Sequence, residues 1–276
     1  GELIYLSRST GPFAIHHVTF FPEQLENHAT GFLDPAIYVK KLKDCVVANK
    51  NLIISSNGNL LVNNGYHYIT PSVDIKHYGI KPDYVLRAPK VDYLATNVRD
   101  RRKIGFYIGD TDNFGHWLFE FLPRALWYKK LFPDQNIPLM VGKSVLDKWL
   151  QLLVPLGINL NVIEKFKTGV SIAFEELIVC SASCKRHPSG TGVVRGEDFS
   201  TLRNLMEIYF KHYSYNTGHI ECLFCTRRNA KWRRTLNEDE ALSWLNTKFE
   251  TEIFEPEYLT IAQQFEMLGK TKYFFA

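Results

Sequence analysis

The stretch "KIGFYIGDTDNFGHWLFEFLPRALWYKKLF", residues 103–132, decides the fold. Its opening "KIGFYIG" is a short apolar run that reads as a buried strand. A polar turn follows, in which Asp112 or Asn113 can cap a helix. Residues 113–131 then carry apolar and aromatic side chains at helical spacing. Pro123 has no N–H to give the carbonyl of Phe119, so this helix is expected to be kinked or to begin late. His116 and Glu120 stand four residues apart and share one helix face. Two readings of that pair stay open: a packed histidine beside a snorkelling glutamate, or an acid/base pair at the mouth of a cleft. A zinc site is a weaker third, since H-x-x-x-E supplies two ligands and no convincing third is near.

Working outward, β and α patterns alternate. "IPLMVG" is a second buried strand. "SVLDKWLQLLVPLGI" reads as a helix with Val145, Trp149, Leu152 and Leu153 on one face and Gly157 as its stop. "NLNVIEKF" and "FEELIVCSA" read as further strands. Such alternation implies parallel strands with crossover helices, a Rossmann-like half. Ligands of these sheets sit beyond the carboxyl ends of the strands, which is where His116 falls. Upstream, residues 1–100 are β-rich, with hairpin turns expected at Gly58 and Gly65.

Downstream, "SCKRHPSGTGVVRGED" reads as a glycine-rich loop. "DFSTLRNLMEIYFKHY" is a long helix with Phe199, Leu202, Leu205, Met206 and Tyr209 at helical spacing, expected to bridge two lobes. β/α alternation then restarts with "HIECLFCTR", "NEDEALSWLNTKF", "TEIFEPE", "TIAQQFEMLGKT" and "KYFFA". In the last helix Leu259, Ile261, Phe265 and Leu268 read as a core face, and Gln263 or Gln264 can face a cleft. The expected domains are 1–195, β-rich to 100 and Rossmann-like from 101, and 196–276, a bridging helix and a second Rossmann-like lobe. Some 80 residues after the bridge are short for a doubly wound lobe, so this lobe is expected to be incomplete.

Composition bounds the function. The chain has 276 residues, 45% hydrophobic and 22% charged, with a net charge of only +4, so any basic function is local. The local basic run is "CTRRNAKWRRTLNEDEAL", where Arg227, Arg228, Lys231, Arg233 and Arg234 lie between a strand and a helix that Asn237 and Glu238 begin. Helix N-termini attract anions and arginines add bidentate phosphate contacts, so a diphosphate fits this turn. A solvated loop is the plain alternative. A nucleic acid fits poorly, because the cluster is compact and only Trp232 interleaves. The five cysteines include the pair Cys222 and Cys225, which read as buried residues of a strand. An odd cysteine count and no visible signal peptide favour the cytoplasm, at the inner face of a membrane, with the secretory lumen as the alternative. The chain begins at Gly1 rather than Met, so an upstream segment is expected to have been removed.

Together these stretches resemble glycosyltransferase family 61, over roughly residues 40–276. "TRRNAKWRRTLNEDEAL" is similar to the family's S/T-R-R…R-R-x-L-N-E run. "NFGHWLFEFLPR" resembles its N-x-x-H-W-L-x-[DE]-x-L-P-R signature, and "YLTIAQQFEML" its S-x-x-E/Q-Q helix. The resemblance implies a GT-B architecture and an inverting enzyme that needs no metal or other cofactor. It implies a nucleotide-sugar donor and a glycan or glycoconjugate acceptor, in polysaccharide or glycoconjugate synthesis. "DTD" at 110–112 is discounted as a metal site. Family members continue into a glycine-rich turn that helps hold the donor, and this sequence ends before it, at Ala276. The expected base is His116, since histidines titrate near pH ~6.5, with Glu120 as its orienting partner or as the base itself. Asn113 and Asp112 support the turn. Arg227, Arg228 and Arg233 meet the leaving diphosphate, with Asn237, Glu238 and Gln264 shaping the donor pocket. The alternative is a non-catalytic module that binds nucleotide sugars or glycans.

Overall fold

A computed structural model describes residues 2–6, 37–48, 52–55, 60–62, 98–166, 170–181, 184–186, 192–211, 219–229 and 235–276. The chain divides into two compact units, Gly1–Leu202 and Arg203–Ala276.

The first unit is built on an eight-stranded mixed sheet: β1 (Glu2–Leu6), β2 (Tyr38–Ala48), β3 (Leu52–Ser55), β4 (Leu60–Val62), β5 (Val98–Gly109), β6 (Leu139–Gly142), β7 (Ile163–Phe166) and β8 (Ser171–Cys180). Its order is β4-β3-β2-β8-β5-β6-β7, with β1 paired to β2. The four strands β8, β5, β6 and β7 run parallel, and β2 joins β8 antiparallel. The chain steps from β5 out to β6 and β7, then returns to the other side of β5 as β8. Strand order therefore reverses at β5. The "KIGFYIG" run is buried on both faces, with Phe106, Tyr107 and Ile108 fully enclosed, as parallel strands require. At Gly105 a Cβ would lie 2.8 Å from Phe174 and 2.9 Å from Met140, so only glycine lets those neighbours close over the strand. β3 and β4 pair antiparallel on either side of Gly58, while Gly58 and Gly65 themselves fall outside the described residues.

Three local expectations change. The helix after β5 has three parts: α1 (Phe114–His116), a π-helical turn (Trp117–Phe121) and α2 (Leu122–Leu131). Leu122 N–H bonds to the carbonyl of Trp117, one residue further back than in an α-helix. The widened turn ends just before Pro123, the residue that cannot donate. The second predicted helix is α-helical only over α3 (Asp147–Leu150) and tightens to 3₁₀ over Gln151–Leu156, where Pro155 removes a donor. Gly157 closes it at φ 71°. The predicted loop after β8 carries a small antiparallel pair, β9 (Cys184–Arg186) and β10 (Gly192–Val194). Strands of three residues hold too little alternation to be told from loop.

The long helix α4 (Gly196–Phe210) contains the division between the units. Leu202, Met206 and Phe210 are buried along it, Phe199 and Leu205 are half-buried, and Tyr209 is exposed. The second unit is a parallel sheet of β11 (Ile220–Cys225), β12 (Thr251–Phe254) and β13 (Thr271–Phe275), ordered β12-β11-β13. Its helices α5 (Glu238–Asn246) and α6 (Ile261–Lys270) lie on opposite faces. Leu245 of α5 packs on Cys222 and Phe224, while Met267 of α6 packs on Ile220, Leu223 and Phe254. In α6 Ile261 is buried as expected, the half-buried Met267 packs on the core, and Leu268, expected inside, is 42% exposed. Cys222 and Cys225 sit three apart on one strand and pack toward opposite faces, so they are free thiols rather than a bridged pair. Among the described residues no helix is long and apolar enough to cross a membrane.

Candidate functional site

Each unit presents a polar turn at the carboxyl end of its reversal strand. In the first unit the turn follows β5. Asp110 is buried, and its carboxylate accepts Ser144 N–H at 3.0 Å and the Ser144 hydroxyl at 3.3 Å. Gly142 makes room for it, since a Cβ there would lie 2.0 Å from the Asp110 carboxyl carbon. Thr111 Oγ1 accepts Asn113 N–H at 3.1 Å, and Asn113 Oδ1 accepts His116 N–H at 3.2 Å. Asn113, rather than Asp112, is therefore the cap, and Asp112 is exposed. The capped turn fixes the start of the helix and with it His116.

His116 Nδ1 and Glu120 Oε1 are hydrogen-bonded to each other. The Glu120 side chain is 3% exposed and the His116 side chain 29%. A carboxylate so enclosed needs a partner, and the imidazole supplies it. With Glu120 taking Nδ1–H, the tautomer that remains has Nε2 as proton acceptor. One turn on lies Arg124, fully buried, whose Nη1 donates to the carbonyl of Ile108 in β5 at 2.6 Å. Asp198, also fully buried, accepts Trp127 Nε1–H at 2.9 Å. Between these charges, burial pushes the Cys180 thiol up to about 12, with Arg124 drawing it down and Asp198 pushing it up. The sequence offers Asp110 only as part of the discounted D-T-D and does not single out Arg124 or Asp198. A charged residue inside an apolar, strongly periodic run is the signal that could have found Arg124.

In the second unit the turn follows β11. Thr226 is buried, and its hydroxyl accepts Arg228 N–H at 3.3 Å. Glu238, in the first turn of α5, is buried and its carboxylate accepts Arg227 N–H at 2.9 Å. The side chain of Arg228 pairs with Asp239, and both are largely exposed. Asn237 occupies the N-cap position of α5 but makes no side-chain capping bond. The first turn of α5 holds Glu238, Asp239 and Glu240, so this helix end already has its negative charge. An anion here meets the arginine side chains, not the helix dipole. Arg233, with Lys231 and Arg234, lies outside the described residues.

Burial pushes the Cys225 thiol up, the Arg227 charge draws it back, and Glu257 and Glu238 push it further. Arg227, Glu257 and Glu238 thus all act on one thiol at the end of β11. Gln263 closes a capping box with Thr260. Gln264 donates its amide to the carbonyls of Pro256 at 2.9 Å and Leu259 at 3.2 Å, so it braces the turn after β12. Among the described residues no group of three or more His, Cys, Asp or Glu side chains could hold a metal ion.

The structure thus brings His116, Glu120 and Asn113 together in one unit, and Arg227, Arg228 and Glu238 in the other. A family model described as Glycosyltransferase 61 matches residues 114–276, which include His116, Glu120 and the turn after β11. No curated protein gives a significant match. The chain belongs to glycosyltransferase family 61.

Proposed function

We propose that this glycosyltransferase is an inverting, metal-independent enzyme of GT-B type, its two units serving as the acceptor and donor sides of one reaction. The strand orders support this, since each unit reverses its parallel order at a strand whose carboxyl end carries a candidate site. The observation that carries the reading is the His116–Glu120 pair at the end of β5. Glu120 holds the imidazole, and His116 Nε2 takes the proton from an acceptor hydroxyl. That oxygen attacks the anomeric carbon as the bond to the donor's diphosphate breaks on the opposite face. Arg227 and Arg228, with Arg233 from the same basic run, stabilise the departing diphosphate. Glu238 holds the backbone of that turn, and Gln264 holds the turn next to it. The acceptor is a glycan or glycoconjugate, at the cytoplasmic face of a membrane.

The test pairs two variants in one set of measurements: transfer to an acceptor, and calorimetric titration with nucleoside diphosphates. His116→Ala should lower transfer by roughly a thousandfold while nucleotide affinity survives. Arg227→Ala should weaken nucleotide binding first, by roughly tenfold. Full turnover in His116→Ala removes the base assignment. Nucleotide binding without transfer in the parent chain favours a binding module instead.

A further inference from the structure

The turn after β12 is braced from several sides. The Glu255 carbonyl accepts Tyr258 N–H at 3.1 Å, and the Pro256 carbonyl accepts Leu259 N–H at 3.3 Å. Gln264 reaches back from α6 to bond the carbonyls of Pro256 and Leu259. The Thr260–Gln263 capping box then starts α6 at once. On this fixed backbone the Tyr258 ring stands 70% exposed. A large ring held in water by a rigid turn has already lost the conformational freedom that binding would remove, and it keeps a bare π face.

The ring also stands beside the arginine turn. Asn229 Nδ2 donates to the Tyr258 hydroxyl at 3.4 Å, and Thr226 N–H donates to the Phe254 carbonyl at 3.2 Å. Glu257, next to Tyr258, acts on the same thiol as Arg227. The end of this sheet therefore offers guanidinium groups, a carboxylate and an exposed ring. A nucleoside diphosphate offers a diphosphate, a diol and a base, in that order. In the dinucleotide-binding Rossmann fold an acidic residue downstream of the first βα turn accepts a ribose hydroxyl, and Glu257 follows the second strand of this sheet.

We propose that the turn 255–258 is the nucleoside half of the donor site, with Tyr258 stacking on the base and Glu257 accepting from the ribose hydroxyls. The inference rests on the diphosphate being held by Arg227 and Arg228. Stacking is tolerant of base identity, so Tyr258 contributes affinity more than choice among bases.

The experiment is calorimetric titration of the full chain with UDP, CDP, ADP and GDP, and with inorganic pyrophosphate. Tyr258→Ala should weaken the nucleoside diphosphates that bind by roughly tenfold and leave pyrophosphate unchanged. Tyr258→Phe keeps the ring, loses the bond to Asn229, and should bind as the parent does. The ring is mostly in solvent, so both variants should melt as the parent does. Equal loss for pyrophosphate, or no loss in Tyr258→Ala, overturns the proposal while the donor-site reading stands. A parent chain that binds neither pyrophosphate nor any of the four nucleotides overturns both.

Discussion

The two turns occupy the same place in their respective sheets and are built in opposite ways. After β5, Asp110, Glu120 and Arg124 are all buried, and each has a named partner. After β11, Arg227, Arg228 and Asn237 are exposed, and Arg228 is shared with an exposed carboxylate. Burial fixes a geometry at the expense of desolvation, which only full hydrogen bonding offsets. Exposure leaves charges free to change partners. Proton transfer requires the first property, because a misplaced base loses rate steeply. Capture and release of an anion require the second.

The sharpest break of this comparison is Glu120→Gln. If the buried carboxylate orients the imidazole and stabilises its protonated form, its neutral counterpart should lower transfer by about a thousandfold, roughly 4 kcal/mol of barrier. Calorimetry should show nucleotide affinity unchanged, since the second turn is untouched. A Glu120→Gln enzyme of normal rate would make the pair a packing feature and erase the contrast between the turns.

Arg124→Met probes the same turn through stability. It leaves the carbonyl of Ile108 without its buried donor, while Asp198 keeps Arg195 as its positive neighbour at 3.8 Å. The expected loss is about 2 kcal/mol, read as a fall in melting temperature of ~4–8 °C. An unchanged melting temperature would mean that methionine packing replaces the ion, as can happen with buried charges.

Much of this organisation was legible in the sequence, and the exceptions have physical causes. The apolar run of β5, the helix after it and the His116–Glu120 spacing follow from periodicity alone, because a buried parallel strand and an amphipathic helix leave strong patterns. Pro123 announced a disturbed helix, but whether the chain kinks or widens depends on how Trp117 and Phe121 pack. Arg124 and Asp198 escaped notice because a burial of 0% is a tertiary fact. The basic run was plain. That Glu238 turns back onto Arg227, and that Asn237 makes no side-chain capping bond, depends on a contact eleven residues distant along the chain. Leu268 and Met267 are neighbours in α6, and a small rotation of the helix decides which enters the core.

The smallest expected effect tests the exposed turn. Arg228 and Asp239 pair in water, where such pairs contribute between ~0.2 and ~1 kcal/mol and are screened by salt. Asp239→Asn should therefore leave the melting temperature nearly unchanged. Its effect should fall on binding instead. With the competing carboxylate removed, Arg228 is released to an incoming diphosphate, and pyrophosphate affinity should rise about twofold to threefold at low salt. The gain should fade as ionic strength increases, because both the lost competition and the new attraction are screened. A loss of affinity in this variant would give Asp239 a positioning role, holding Arg228 in its binding geometry. The second turn would then be preorganised like the first, and burial would no longer separate the two.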